Sequence, residues 1–335
     1  MARTTGTTTT TMRAIVQDGY GSVDVLRSAQ IARPEPGANE VLVRVQAAGL
    51  DRGTWHLMTG TPYPLRFAFG LRRPRNPVLG RDVAGTVEAV GSGVTTHAIG
   101  DEVYGVAPGS FAQYAVGRAD KLVRKPANLS FEEAAVVPIS GLTALDALTV
   151  GRVSPGQHVL VIGASGGVGS YAVQIAKALG AEVTGVASTS KLDLVRALGA
   201  DHVIDYKRED FAAGPNRYDV IIDIAGNPAL SRLRRALTDN GTAVITGGED
   251  GGGPTGGMNR QLRAVVLSMF IRQRLTTFVN KESGAELGRL TELIEAGQVA
   301  PSLDRTYPLE QVPDAMRRLA TGQARGKIAI TGFAA

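Results

Sequence analysis

The sequence predicts an α/β protein in which a doubly wound parallel sheet is joined to a second, β-rich domain. From Val159 onward, apolar strand-like runs alternate with amphipathic helical stretches, the pattern of strands covered by helices on both faces. A glycine-rich turn, Gly163-Ala-Ser-Gly-Gly-Val-Gly169, lies between the first of those strands and the first of those helices. Upstream, from Met12 to about Leu129, short β-rich runs are separated by Gly, Pro and Asp.

Length and composition bound the rest. At 335 residues the chain suits two domains of ordinary size, and 43% hydrophobic with 20% charged residues supplies material for their cores. No apolar run reaches the ~18 residues of a membrane span, so no membrane partner is expected. The chain has no cysteine. Disulfides, thiolate metal sites and cysteine nucleophiles are thereby excluded, and a cytoplasmic location is expected. A formal charge of +5 is small for this length. Arg232, Arg234 and Arg235 fall on a predicted surface helix, so no nucleic-acid partner is expected.

Residues 1–11, MARTTGTTTTT, are poor in apolar side chains and read as a disordered tail, with the ordered chain starting at Met12. The β-rich part carries runs at Glu40–Val45, Val83–Val90, Glu102–Val106, Phe111–Val116 and Lys121–Arg124. Between Gly60 and Pro77 a stretch rich in Pro, Arg and aromatics has no period; a loop that long inside a domain is usually functional or mobile. Ser130-Phe-Glu-Glu133 reads as a capping box opening an Ala-rich helix. The alternating part then runs strand Val159–Ile162, helix Val168–Leu179, strand Glu182–Ala187, helix Lys191–Leu198, strand His202–Asp205 and strand Val220–Ile224. Helix Pro228–Leu237 takes Asn227 as its N-cap and Pro228 as its first residue. Strand Thr242–Thr246 follows. After about Lys281, two helical stretches precede a last strand, Lys327–Ile330.

The glycine-rich turn fits a phosphate cradle. Gly163 permits the tight turn, Gly166 lets the backbone approach a pyrophosphate, and Gly169 allows close helix–strand contact, while the helix N-terminus offers unpaired N–H groups to the anion. The spacing is G-x-x-G-x-x-G rather than the strict G-x-G-x-x-G, and it is the strand before and the helix after that carry the assignment. NAD-binding folds place an acid at the end of the second strand to hold the ribose 2′-hydroxyl. Here Val186-Ala-Ser-Thr-Ser190 contains none, and Lys191 follows. Ser188 and Lys191 would hold a 2′-phosphate that a carboxylate would repel, with Tyr206, after the next strand, as a further donor. The two serines also read as caps of the next helix. NADPH is the expected cofactor.

Further runs carry a resemblance: GRDVAGTVEAVG at 80–91, GDEVYG at 100–105, GSFAQYAV at 109–116, AAVVPISGLTAL at 134–145, VLVIGASGGVGSYAVQIAK at 159–177, LGADHVIDY at 198–206 and ARGKIAI at 324–330. In order and spacing the chain resembles the medium-chain dehydrogenase/reductase superfamily from Met12 to Gly332. Within it, the chain is similar to the zinc-independent quinone oxidoreductase-like branch and its reticulon-4-interacting-protein-like reductases. The resemblance implies a GroES-like β-rich catalytic domain of residues 12–130 and 282–335. A Rossmann doubly wound domain of residues 131–281 is inserted in it, with the ligand cleft where they meet. It also implies a homodimer paired through the dinucleotide domain's sheet.

Zinc-dependent members carry Gly-His-Glu and two cysteines; this chain has Gly80-Arg81-Asp82, no cysteine, and histidines 56, 97, 158 and 202 without ligand spacing. No metal is expected. Without a Lewis acid the accessible hydride acceptors are conjugated, a quinone or an α,β-unsaturated carbonyl, since the arriving charge spreads into an enolate. Tyr63, in Gly60-Thr-Pro-Tyr-Pro64, resembles the Gly-x-Tyr-Pro of enoyl reductases, whose tyrosine is the proposed proton donor, with one extra residue here. Asp51 and Thr54 stand where relatives have Asn-x-x-Asp; Asp51 either orients substrate or water, or pairs with Arg52 or Arg81. Trp55 and the Phe67–Leu71 stretch would wall a cleft for a hydrophobic small molecule, while Arg66, Arg72, Arg73 and Arg75 either greet an acidic one or are solvated. The resemblance places Thr143 at the phosphates or nicotinamide and Ser165, Gly166, Gly167 and Val168 at the pyrophosphate. It places Gly247 beside the cofactor, Phe278 and Val279 against the nicotinamide, and Arg325 and Lys327 in the closing segment. Phe278 and the run Val265–Ile271 also read as core or dimer-face packing. The rival readings are a specialised enone reductase of a biosynthetic pathway and a cofactor-binding regulatory protein without turnover.

Overall fold

A computed structural model describes residues 10–247 and 258–333; most of the expected N-terminal tail, residues 1–9, lies outside them. Strand β1 (Thr11–Gln17) begins one residue ahead of Met12 and pairs antiparallel with β2 (Leu26–Ala32). Next come β3 (Glu40–Leu50), helices α1 (Arg52–Thr59) and α2 (Leu65–Phe69), and strands β4 (Asp82–Val90), β5 (Glu102–Val106), β6 (Tyr114–Arg118) and β7 (Leu122–Arg124). Helices α3 (Phe131–Ala135) and α4 (Pro138–Gly151) lead into β8 (His158–Ile162), α5 (Gly167–Ala178), β9 (Glu182–Ala187), α6 (Leu192–Ala197), β10 (His202–Asp205) and β11 (Tyr218–Asp223). The chain continues through α7 (Leu230–Ala236), β12 (Leu237–Ile245), α8 (Met258–Ser268) and β13 (Arg274–Thr276). It ends with α9 (Gly284–Glu295), β14 (Leu303–Pro308), α10 (Val312–Ala320) and β15 (Lys327–Thr331).

Two sheets organise these elements. The first runs β10-β9-β8-β11-β12-β13 with every neighbour parallel, the doubly wound order whose crevice lies at the carboxyl ends of the strands. Leu160, Ile221 and Ile222 at its centre are wholly buried. The second sheet runs β14-β15-β3-β4-β5-β7, with β6 also on β3. Strand β15 pairs antiparallel with β3, Ile328 opposite Leu50, so the last strand of the chain completes the sheet begun by its first third. Between the sheets lies α4, buried on nearly every face through Leu142, Ala144, Leu145, Ala147 and Leu148. Each buried leucine contributes ~1.5–3 kcal/mol. Helix α9 adds Leu287, Leu290 and Ile294 to the same core.

Several boundaries depart from expectation for local reasons. The Ser130 capping box forms, Ser130 Oγ accepting from the Glu133 N–H and Glu133 Oε2 from the Ser130 N–H. The Ala-rich helix it opens is nevertheless two helices, because Pro138 brings no N–H to continue α3 and instead starts α4. Asn227 does not cap a helix at Pro228. It takes a left-handed φ of 41° and turns the chain, and α7 starts at Leu230.

Candidate active site

The phosphate loop joins β8 to α5 as its glycines require. Gly163 has φ 87°, and a Cβ on Gly169 would stand 2.1 Å from the Gly163 carbonyl oxygen, so the helix reaches the strand only with glycine there. Gly166 is the N-cap and supplies no side chain. The first N–H groups of α5, from Gly167, Val168 and Gly169, therefore have no intrahelical acceptor and carry the positive end of the helix dipole. Ser165 is buried, and its carbonyl accepts from the Gly326 N–H at 3.0 Å.

That bond belongs to a wider clasp. Arg325 donates to the Ser190 carbonyl at 2.5 Å and pairs with Asp193 at 2.7 Å. Lys191 Nζ donates to the Gly322 and Ala324 carbonyls at 2.8 and 2.6 Å. The closing segment before β15 thus holds both the phosphate loop and the turn after β9. Two carbonyls use two of the three protons on the Lys191 ammonium, leaving one for a ligand oxygen. Burial pulls the Lys191 amine below its usual range; Asp304 opposes this, while Arg325 and Arg318 push the same way. Ser188 precedes the turn with no side-chain cap bond, and Tyr206 is 59% exposed beside it, its N–H on the Ala187 carbonyl.

At the junction of the domains lies a second group that the sequence left half-seen. Lys327, 2% exposed, runs its stem past Gly167, where a Cβ would meet Lys327 Cδ at 2.9 Å. Its Nζ donates to Ser140 Oγ at 2.9 Å and stands 3.7 Å from Asp82 Oδ2. Asp82 has no solvent exposure, and its Oδ1 accepts from the Ile139 N–H at 2.9 Å. Burial pushes its carboxyl up to about 8 against the pull of Lys327, and Asp51 raises it further. Asp51 caps α1, Oδ1 accepting from the Thr54 N–H at 2.7 Å and from Thr54 Oγ1 at 3.3 Å. The Asp51–Thr54 pair is therefore one capping unit. Asp51 Oδ2 and Asp82 Oδ2 are buried without a hydrogen-bond partner among the described residues.

The remaining sequence candidates separate. Thr143 donates to the Ile139 carbonyl at 2.6 Å and accepts from Asn280 Nδ2 at 3.0 Å, so it joins α4 to the chain after β13. Phe278 is half-buried against the main core, Val279 is 88% exposed, and Gly247 stands at the end of β12, where a Cβ would meet the Ile224 carbonyl oxygen. Tyr63 is 51% exposed; its ring lies on the Arg66 guanidinium, which it shares with Tyr20. No hydrogen bond links Tyr63 to Asp51 or to the phosphate loop among the described residues. Phe67 and Leu71 are 74% and 61% exposed and face solvent. Arg81 does not pair with Asp51: it binds Glu282, which also holds Lys121 at 3.0 Å.

Asp82, Ser140, Asn280 and Glu282 are the site residues that sequence patterns missed. A buried acid opening a strand, as in GRDVAG, was the available signal for Asp82. Nothing local marked the others, which matter through partners from 137 to 201 positions away. At the position of a metal-binding Gly-His-Glu stand a guanidinium held by Glu282 and a carboxyl faced by an ammonium. Those cations do not fit zinc, the chain has no cysteine to supply a thiolate, and no cluster of potential metal ligands lies among the described residues.

A GroES-like sheet clasped onto a doubly wound nucleotide domain defines the architecture of a two-domain dehydrogenase or reductase. The chain matches the alcohol dehydrogenase GroES-like domain over residues 37–127 and a zinc-binding dehydrogenase family over residues 198–330. It is 34% identical over 334 residues to a 2-methylene-furan-3-one reductase of Solanum lycopersicum, covering 95% of this chain and 79% of that protein. It is 33% identical over 370 residues to the mitochondrial NAD(P)H oxidoreductase RTN4IP1 of Mus musculus, covering 98% and 91%. Among solved structures, the quinone oxidoreductase from Coxiella burnetii superposes with a TM-score of 0.85 at 29% identity, covering 96% of this chain and 99% of that one. The chain belongs to the medium-chain dehydrogenase/reductase superfamily, in its quinone oxidoreductase-like branch.

Proposed function

We propose that this protein is an NADPH-dependent reductase of quinones or α,β-unsaturated carbonyls, working without zinc. The observation that carries it is the clasp: the closing segment bonds to Lys191, to the turn after β9 through Arg325, and to the phosphate loop through Gly326, while Lys327 faces a buried carboxyl group on the other domain. Relatives named as a quinone oxidoreductase and as an NADPH-dependent alkenal/one oxidoreductase support the same chemistry. NADPH, when bound, would supply a hydride to the β-carbon of an enone or to a quinone, and the resulting anion takes its proton from Tyr63 or from solvent. The protein's residues do the rest. The α5 N–H groups and Ser165 hold the pyrophosphate, and Ser188, Lys191 and Tyr206 take the 2′-phosphate, with Arg325 fastening the turn that carries them. Thr143, Phe278 and Val279 bound the nicotinamide end. Asp51 orients the acceptor or a water from the junction, and Tyr63, on its Arg66 support, reaches the cleft only if the 60–77 loop folds inward.

The domain limits are residues 12–130 with 282–335, and 131–281. No described helix is long and apolar enough to cross a membrane; a cytoplasmic setting is part of the proposal. So is a homodimer, in which β13, at the edge of the parallel sheet, meets its copy beside the exposed face of α8.

The test is loss of reduced-nicotinamide absorbance with a panel of quinones and enones, giving NADPH and NADH in parallel. NADPH consumption with NADH far poorer is expected. Equal use of both would overturn the 2′-phosphate assignment, and tight NADPH binding with no acceptor turned over would favour a regulatory protein.

A further inference from the structure

The loop between α1 and β4 carries a feature that the reductase reading leaves unused. Tyr63, Phe67, Phe69 and Leu71 are 51%, 74%, 38% and 61% exposed. Residues 60–77 also hold Arg66, Arg72, Arg73 and Arg75, and no acidic residue. The segment is folded: Tyr20 donates its hydroxyl to the Gly70 carbonyl at 2.6 Å, and Arg66 stacks 4.5 Å from the Tyr20 and Tyr63 rings and donates to the Gly60 carbonyl at 2.8 Å. Arg75 spans the loop to the Ala68 carbonyl at 3.1 Å. Arg66 is thus consumed internally, whereas Arg72 and Arg73 are exposed and no carboxylate of the described residues pairs with them.

We propose that this loop docks the protein peripherally on a bilayer bearing anionic phospholipids, with Phe67, Phe69 and Leu71 entering the boundary of headgroups and acyl chains and Arg72, Arg73 and Arg75 meeting the phosphates. Apolar tips ringed by cations, without acids, have the composition of an interfacial anchor. Charge complementarity selects the occupant. A neutral bilayer or an apolar protein groove gives the arginines no partner, and the exposed aliphatic Leu71 beside Phe67 suits an acyl-chain boundary better than a stack of bases. The expectation of no membrane partner rested on the lack of a span, which surface docking does not need. Helix α1 joins this loop to Asp51 at the buried junction, so a docked molecule would meet an acceptor dissolved in the bilayer; this last point alone rests on the reductase reading.

The test is co-sedimentation of the full chain with phosphatidylcholine vesicles, with and without phosphatidylglycerol, at low and high salt. Binding only to the anionic vesicles, weakened by salt, is expected. The R72E/R73E pair should abolish it, R72A alone should weaken partition about fivefold (~1 kcal/mol per arginine), and F67S/L71S should weaken it while leaving its salt dependence. These side chains are exposed, and an unchanged melting temperature checks that each variant is folded. No binding to anionic vesicles, equal binding to neutral ones, or binding indifferent to the R72E/R73E pair would each overturn the proposal. So would capture of RNA or a protein through the same arginines without vesicle binding. The readout needs no turnover, so failure of the reductase reading would leave it standing.

Discussion

Asp82 has no solvent exposure, one backbone N–H on its Oδ1 and one ammonium 3.7 Å from its Oδ2. Its carboxyl lies at about 8 in the fold against an ordinary 3.8. Between those values the folded protein keeps a proton that the unfolded chain has released, so this group's contribution to stability is complete below about 4 and is lost as pH rises through about 8. D82N should flatten that fall, visible in urea unfolding midpoints taken across the range; parallel profiles for the two proteins would show that Asp82 is not its source. The Lys327 ammonium opposes the shift, so K327M should move the same fall to higher pH. The second residue-scale test concerns cofactor choice. Lys191 and Arg325 each have partners within the clasp, so a loss on mutation could come from structure alone. A charge-assisted bond to a 2′-phosphate contributes about 1.5–3 kcal/mol. K191A is therefore expected to lower kcat/KM for NADPH about tenfold or more while sparing NADH, and an equal loss for both would mean that Lys191 only holds the clasp.

At the scale of elements, the phosphate loop distinguishes two uses of glycine. A Cβ on Gly169 collides with backbone at 2.1 Å, whereas one on Gly166 meets the Gly163 carbonyl oxygen at 3.3 Å. G169A should separate α5 from β8 and cost several kcal/mol, on the order seen for severe overpacking. G166A should fold with a near-normal melting temperature and lose mainly NADPH affinity, read by equilibrium titration, because its methyl faces the anion's approach. This loop was legible in the sequence because strand, turn and helix are contiguous and each obeys a local rule. The parallel strands were legible for the same reason, as continuous apolar runs. Helix α1 was not: its Asp51 cap is sequential, but Gly53 weakens the helical signal, and two buried positions, Thr54 and Met58, in a helix of 8 residues carry little period. Asn227 was misread because asparagine suits both a cap and a left-handed turn, and the turn won. The Lys327–Ser140–Asp82 group needed the fold itself, since three separate elements supply it.

For the whole molecule, the decisive surface is the one that α8 leaves bare. Arg260 fastens the helix inward, donating to the Pro228 carbonyl at 2.9 Å and pairing with the buried Asp223, and Ala264 seals the inner face. The outer face then presents Leu262 at 66% exposure, with Val265 and Val266 beside it, and continues into Met269 and Phe270 at 70% and 79%. Next to it β13 is the last strand of the parallel sheet among the described residues, which leave one of its edges unpaired, and an open edge beside a continuous apolar face invites a second copy or aggregation. A two-fold pairing buries the same patch on both partners, so one substitution counts twice. F270D, which places two carboxylates at such an interface, should convert a dimer to a monomer by light scattering coupled to size exclusion. The variant should remain folded, because Phe270 contributes almost nothing to its own core. A wild-type monomer would sink the pairing, and a dimer indifferent to F270D would move the interface away from β13 and α8.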